Sequence, residues 1–184
     1  MKYVAFLRGI NVGGKNIIKM ADLKQMFAIL GINDVSTYIQ SGNVIFSSDD
    51  DEASLISQIE LAIQQTFNLS ISVVLRTLDD LEHIIENNPF TGIVHTNRIS
   101  EIDNFYIFLF SRILSTSDIE YISLYKGVDN CTVVGGDMYV LFNSSIRNSK
   151  IANALPKIKV SVTSRNMKTI IKIVEIEKLN NNKL

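Results

Sequence analysis

Arg8, Asn11, Lys15 and Asn16 stand among three glycines, Gly9, Gly13 and Gly14, directly after the apolar run at residues 3–7. Glycine lets a backbone come close to a ligand, and Arg, Lys and Asn supply hydrogen-bond donors. One chemistry that fits is anion capture, with backbone N–H groups and the Lys15 ammonium around a phosphate ahead of a helix N-terminus. A glycine-rich turn whose asparagines satisfy their own backbone fits the same residues. About one helix later comes a second stretch of this character, Thr37-Tyr38-Ile39-Gln40-Ser41-Gly42-Asn43. It adds Ser41 and Asn43 to the candidate ligand residues. A third group lies towards the C-terminus: Arg147, Lys150, Arg165 and Asn166.

Other chemistries lack their parts. The first stretch does not complete the G-x-x-x-x-G-K-[ST] pattern of a phosphate-binding loop, nor G-x-G-x-x-G. Ser41 would need a base to act as a nucleophile. The chain's two histidines are His83, on a predicted helix, and His95, in a predicted connector, and neither has a placed partner. Cys131 falls in a predicted strand and reads as a small core residue. Two histidines and one cysteine give no metal-ligand spacing, so no metal site and no cofactor is expected. The acidic run at residues 49–52 reads as a helix start, with negative charge against the positive end of the dipole.

The charges are segregated. The net charge of −1 hides four basic and no acidic residues in 1–21, five basic against seventeen acidic in 22–137, and seven basic with no acidic in 138–174. Basic ends around an acidic middle point to a positive surface region that favours anionic ligands. At 46% hydrophobic and 20% charged, the chain reads as globular. No apolar run approaches the roughly 18 residues of a membrane helix, and the N-terminal run is too short for a signal peptide. The single cysteine suits a reducing compartment, so a cytoplasmic location is expected and no membrane partner.

These residues must be positioned by the elements around them. Residues 2–7 read as a strand, and Met20, Leu23, Phe27 and Leu30 recur at helical spacing up to Gly31. Two short β-rich runs, 35–39 and 44–46, flank a Ser-Gly-Asn turn. A helix with Leu55, Ile59, Ala62 and Ile63 inward follows, then a strand at 71–75 and a helix ending near Pro89. The same order recurs: a strand at 105–110, a capping signal at 117–120, and strands at 131–134 and 138–142 around Gly135-Gly136. After a short helix at 149–155, residues 157–162 alternate as a half-buried strand should, and Ser164 is placed to cap a last helix. The predicted fold is α+β, two tandem ferredoxin-like βαββαβ halves with antiparallel sheets, at residues 1–88 and 103–184, joined by a connector at 89–102. In such a unit the loop after the first strand and the turn between the second and third share an edge. That brings residues 8–19 beside 40–43, and in the second half residues 143–150 near 163–166. Arg165 and Asn166 would then open the last helix, where a cation suits a nearby anion.

The pattern Leu7-Arg8-Gly9-Ile10-Asn11-Val12-Gly13-Gly14, then Met20-Ala21-Asp22-Leu23 and Thr37 through Val44, resembles a bacterial family, domain of unknown function 1697 (DUF1697). Ser149-Lys150 and Thr163-Ser164-Arg165-Asn166 are similar to its C-terminal signature, so the resemblance spans nearly the whole chain. Met167 departs from it, standing where the family would carry an aromatic, usually Trp. The resemblance implies a two-part α+β fold and no assigned activity.

Function is expected to be binding of a phosphate-bearing small molecule or nucleotide. Arg8, Asn11, Lys15, Ser41 and Asn43 would line one edge, and Lys150, Arg165 and Asn166 another. The alternative is a single-stranded nucleic-acid module, although Val44-Ile45-Phe46 and Met138-Tyr139-Val140 do not match the K/R-G-F/Y-G/A-F-V-x-F/Y pattern of base-stacking strands and the overall pI is near 6.1. An enzyme of unassigned chemistry is a further class.

Overall fold

The computed structural model describes residues 1–90 and 103–181. It divides into two units, Met1–Asp80 and Leu81–Leu184. The chain is α+β, with one four-stranded antiparallel sheet in each unit.

The first unit runs β1 (Lys2–Leu7), α1 (Met20–Ile29), β2 (Asn33–Tyr38), β3 (Asn43–Ser47), α2 (Glu52–Phe67) and β4 (Val73–Thr77). Its sheet order is β2-β3-β1-β4. The register Phe6↔Asn43 and Leu7↔Val73 places the end of β1 between the start of β3 and the start of β4. Tyr3, Ala5, Leu7, Val44, Phe46, Val73 and Leu75 turn one sheet face towards Leu23 and Phe27 of α1 and Leu55, Ile59 and Ile63 of α2. Each fully buried Leu or Phe contributes about 1.5–3 kcal/mol relative to exposure, so this core anchors the loops above it. α2 starts where the acidic run implies, with the Asp51 side chain accepting from the Ser54 N–H at 3.0 Å, and Asn68 ends it in the left-handed region at φ 55°.

Helix α3 (Leu78–Glu86) crosses the division between the units. The second unit continues with β5 (Phe105–Phe110), α4 (Thr116–Ser123), β6 (Asn130–Val134), β7 (Asp137–Leu141), α5 (Lys150–Ala154), β8 (Val162–Asn166) and α6 (Met167–Asn181). Short 3-10 turns at Ile146–Asn148 and Leu155–Lys157 flank α5. The sheet order is β6-β7-β5-β8. Phe108, Phe110, Met138, Val140 and Val162 pack with Ile122 of α4 and Ile151 of α5. α6 packs on β5 and β8. Within this unit Tyr139 is buried and donates from its hydroxyl to the Ile84 carbonyl at 2.9 Å, and burial raises its pKa to about 12.

The structure differs from the sequence expectations at four points. Residues 157–162 do not form the eighth strand. Ile158 and Val160 are buried as their alternation requires, but the ladder with β5 reaches only the pair Phe110↔Val162. Periodicity marks a half-buried chain, whereas a strand also needs a partner, and β5 ends at Phe110. Arg165 and Asn166 therefore lie in β8, not in the first turn of the last helix. Asn166, not Ser164, caps α6, its Oδ1 accepting from the Lys168 N–H at 2.9 Å. The capping box of α4 is Ser115 with Asp118, two residues before the expected start. From residue 91 onward the expected connector at 89–102, with His95 in it, lies outside the described residues, as does most of the tail beyond Asn180. No helix among the described residues is long and apolar enough to cross a membrane.

Candidate functional site

The loop after β1 is a miniature hairpin. Val12 and Lys15 form an antiparallel bridge, and the Lys15 N–H donates to the Val12 carbonyl at 3.1 Å. Gly13 and Gly14 make the tight turn with φ of 58° and 73°, a backbone state open to glycine at no steric cost. The sequence from Gly9 to Lys15 does keep the glycine and lysine spacing of a phosphate-binding loop, with Asn16 in the place of the Ser or Thr. The geometry is different, because the chain closes on itself at Val12–Lys15 and the helix begins only at Met20.

Asn11 fixes the loop. With φ at 54°, it donates from Nδ2 to the carbonyls of Ile18 and Gln40, each at 2.9 Å, while its Oδ1 accepts from the Ile18 N–H at 2.9 Å. One side chain thus closes the loop and ties it to the β2–β3 turn. Asn16 adds a bond to the Gly9 carbonyl at 3.1 Å. From the other side, the Leu7 N–H donates to the Gly42 carbonyl at 2.9 Å. Gly42 cannot be replaced there without strain: φ is 75°, and a Cβ would lie 2.7 Å from Ile10 Cδ1 and 2.9 Å from Leu7 Cβ. Asn43 is fully buried and donates to the Tyr38 carbonyl at 2.9 Å and to Ser41 Oγ at 3.0 Å. Ile39, half exposed, holds φ at 49°, a costly conformation for a β-branched residue.

Residues 8–19 and 39–43 are therefore in contact, and their side chains divide into two groups. The amides of Asn11 and Asn43 are spent on the protein's own carbonyls. Arg8, Lys15 and Lys19 are exposed, and no side-chain hydrogen bond or ion pair among the described residues engages Arg8 or Lys15. Lys19 occupies the N-cap position of α1 and provides no side-chain cap. The first turn of α1 carries one acidic residue, Asp22.

The second group is spread out. Arg165 is 6% exposed and donates from Nη1 to Thr163 Oγ1 at 2.7 Å and to the Ser164 carbonyl at 2.8 Å. Burial pulls its pKa down to about 10. Asn166 donates to the Asp103 carbonyl at 2.8 Å in addition to capping α6. Lys150 is exposed at the start of α5, its chain passing Gly127. Ser149 faces inward, donating at 2.7 Å to the buried Asp129 carboxylate, which also accepts from the Asn143 N–H at 3.0 Å. Ser149 Oγ in turn caps α5, accepting from the Ala152 N–H at 3.2 Å. Asp129 was not among the sequence candidates, since a lone aspartate in a loop carries no pattern. Desolvation raises the Cys131 thiol pKa, which disfavours a reactive thiolate.

A family model described as "Protein of unknown function (DUF1697)" matches residues 1–139. The chain belongs to the DUF1697 family. The match contains the Arg8–Lys19 loop and the 39–43 turn, and ends before Lys150 and Arg165. Among solved structures, a conserved bacterial protein from Streptococcus pneumoniae is 27% identical over 95% of this chain and 97% of that one, with a TM-score of 0.72. No curated protein matches the sequence. The description of DUF1697 assigns no activity, and the likeness to the solved structure is one of architecture.

Proposed function

We propose that the edge formed by the Arg8–Lys19 loop and the 39–42 turn binds a phosphate-bearing small molecule, such as a nucleotide. The observation that carries this reading is the state of its cations. Arg8 and Lys15 project from a loop whose shape Asn11, Gly13 and Gly14 hold, beside a helix whose N-cap is a lysine. An anion there gains from the cations and from the uncapped N–H groups of α1 together. Arg8 and Lys15 are read as the contacting residues, Asn11 and Asn43 as the residues that hold the loop and turn in place, and Ser41 as part of the rim. Lys150 is read as a separate surface cation, while Arg165 and Asn166 serve the fold of the second unit.

The sheet orders, taken from the opposite edge, run fourth-first-third-second strand in each unit. They support a ferredoxin-like reading of each half. The single cysteine supports a reducing, cytoplasmic setting.

Thermal unfolding followed by circular dichroism tests the binding reading. At a hundredfold excess over Kd a ligand adds about 2.7 kcal/mol, so ATP or inorganic phosphate at millimolar concentration is expected to raise Tm by several degrees. The rise is expected to vanish in the Arg8→Ala/Lys15→Ala double variant. Absence of any shift with either compound overturns the reading.

A further inference from the structure

The edge that carries Arg8 and Lys15 also carries exposed apolar side chains, and phosphate alone gives these no task. Val12 is 60% exposed, Ile17 64% and Ile39 50%. Each adjoins a group that the Asn11 side chain holds. Val12 follows Asn11 itself, Ile17 precedes Ile18, and Ile39 precedes Gln40, with Ile18 and Gln40 both bonded to the Asn11 amide. One hub thus gathers aliphatic residues from the loop and the turn onto a single edge. Elsewhere in this unit Met1, Ile29 and Leu61 stand exposed singly, which is ordinary for a surface. A group around one point marks an interaction site.

The cations of this edge come from separate pieces of chain. Arg8 follows β1, where its N–H donates to the Ser72 carbonyl at 2.9 Å. Lys15 stands on the hairpin opposite Val12, and Lys19 precedes α1. A chain of linked phosphates meets such a spread, where a single phosphate meets part of it. The remainder of the unit reinforces the charge. Its carboxylates collect at the opposite edge, where β1 begins and β3 and β4 end: Asp34, the run at 49–52, Asp79 and Asp80 are all exposed there, beside Lys2 and the N-terminal amine. A field of that direction draws a multiply charged anion to the Arg8 edge.

We infer that the ligand of this edge is a nucleoside polyphosphate, with its linked phosphates on Arg8, Lys15 and Lys19 and its base against Val12, Ile17 and Ile39. This rests on the phosphate reading and adds to it the residues that choose the ligand. A base presents a broad face of low polarity, and aliphatic side chains that cover it leave water together with it. Inorganic phosphate or a sugar phosphate leaves those side chains wet. The cations supply attraction, and the aliphatic group supplies the choice among phosphate esters.

Isothermal titration calorimetry with ATP, AMP and inorganic tripolyphosphate in one buffer tests it, on the parent and on Ile17→Ser and Ile39→Asn as separate variants. Circular dichroism checks their folding. Both positions are exposed, and Asn holds the φ of 49° at residue 39 at less cost than Ile. ATP is expected to bind the parent tighter than either AMP or tripolyphosphate by about tenfold or more. Each folded variant is expected to weaken ATP by about threefold or more and to leave tripolyphosphate unchanged. Tripolyphosphate or AMP binding as tightly as ATP overturns this inference and leaves the phosphate reading standing. An ATP preference that the folded variants keep in full also overturns it. Absence of binding by all three compounds overturns both.

Discussion

The loop after β1 and the loop after β5 hold the same place in the two units, each following the strand third in its sheet's order. They finish their helices in opposite ways. After β5 the connection is short, and Ser115 and Asp118 close the N-terminus of α4 with a reciprocal capping box. Arg112 donates to that same Asp118 at 2.9 Å. Cation, carboxylate and helix end are all satisfied inside the protein. After β1 the connection is long, Lys19 stands at the N-cap without a side-chain cap, and Arg8 and Lys15 are unengaged among the described residues. The difference shows that a basic residue near a helix start is not in itself a binding feature. What matters is whether the chain has already supplied the anion.

Predictions follow from breaking each side of this contrast, the largest first. Gly42→Ala forces a Cβ against Leu7 and Ile10 in a left-handed backbone. It is expected to cost roughly 2 kcal/mol in urea unfolding and to loosen the turn from the loop. Exchanging the caps gives smaller and opposite effects. Ser115→Ala is expected to cost about 1 kcal/mol, whereas Lys19→Asp, which installs an acceptor at a position already extended at φ −71° and ψ 137°, adds a fraction of that and weakens phosphate binding. The smallest effect is in acid. The Ser115 backbone N–H, then its hydroxyl, then Arg112 hold the Asp118 carboxyl below its ordinary pKa. A depressed carboxylate stabilises above its unfolded value, near 3.9, and that contribution is lost as pH falls through the lower folded value. Asp118→Asn is expected to flatten that limb of the stability profile against pH. The α1 end, where Lys19 provides no side-chain cap, lacks this device.

Much of this contrast was legible in the sequence, and the limits have physical causes. Glycines at 9, 13 and 14 mark a turn in the sequence, and the expected strand order puts residues 40–43 beside the loop. The role of Asn11 was not legible, because it depends on one amide reaching both Ile18 and Gln40 across a folded loop. Arg165 was misplaced because alternation at 157–162 reports sidedness and not pairing, and β5 is too short to pair there. With β8 at residues 162–166, Arg165 lies in a strand and is buried. Charge along a sequence carries sign without burial, and in those terms the exposed Lys15 and the buried Arg165 are indistinguishable.

The most direct measurement is a titration of the isotope-labelled chain with ATP, followed through backbone amide resonances. Progressive shifts concentrated at Gly13, Gly14, Lys15 and the first turn of α1 are the predicted result, with those around Ser115 and Lys150 still. An unchanged spectrum, or shifts centred on Lys150 with the β1 loop silent, would contradict the account.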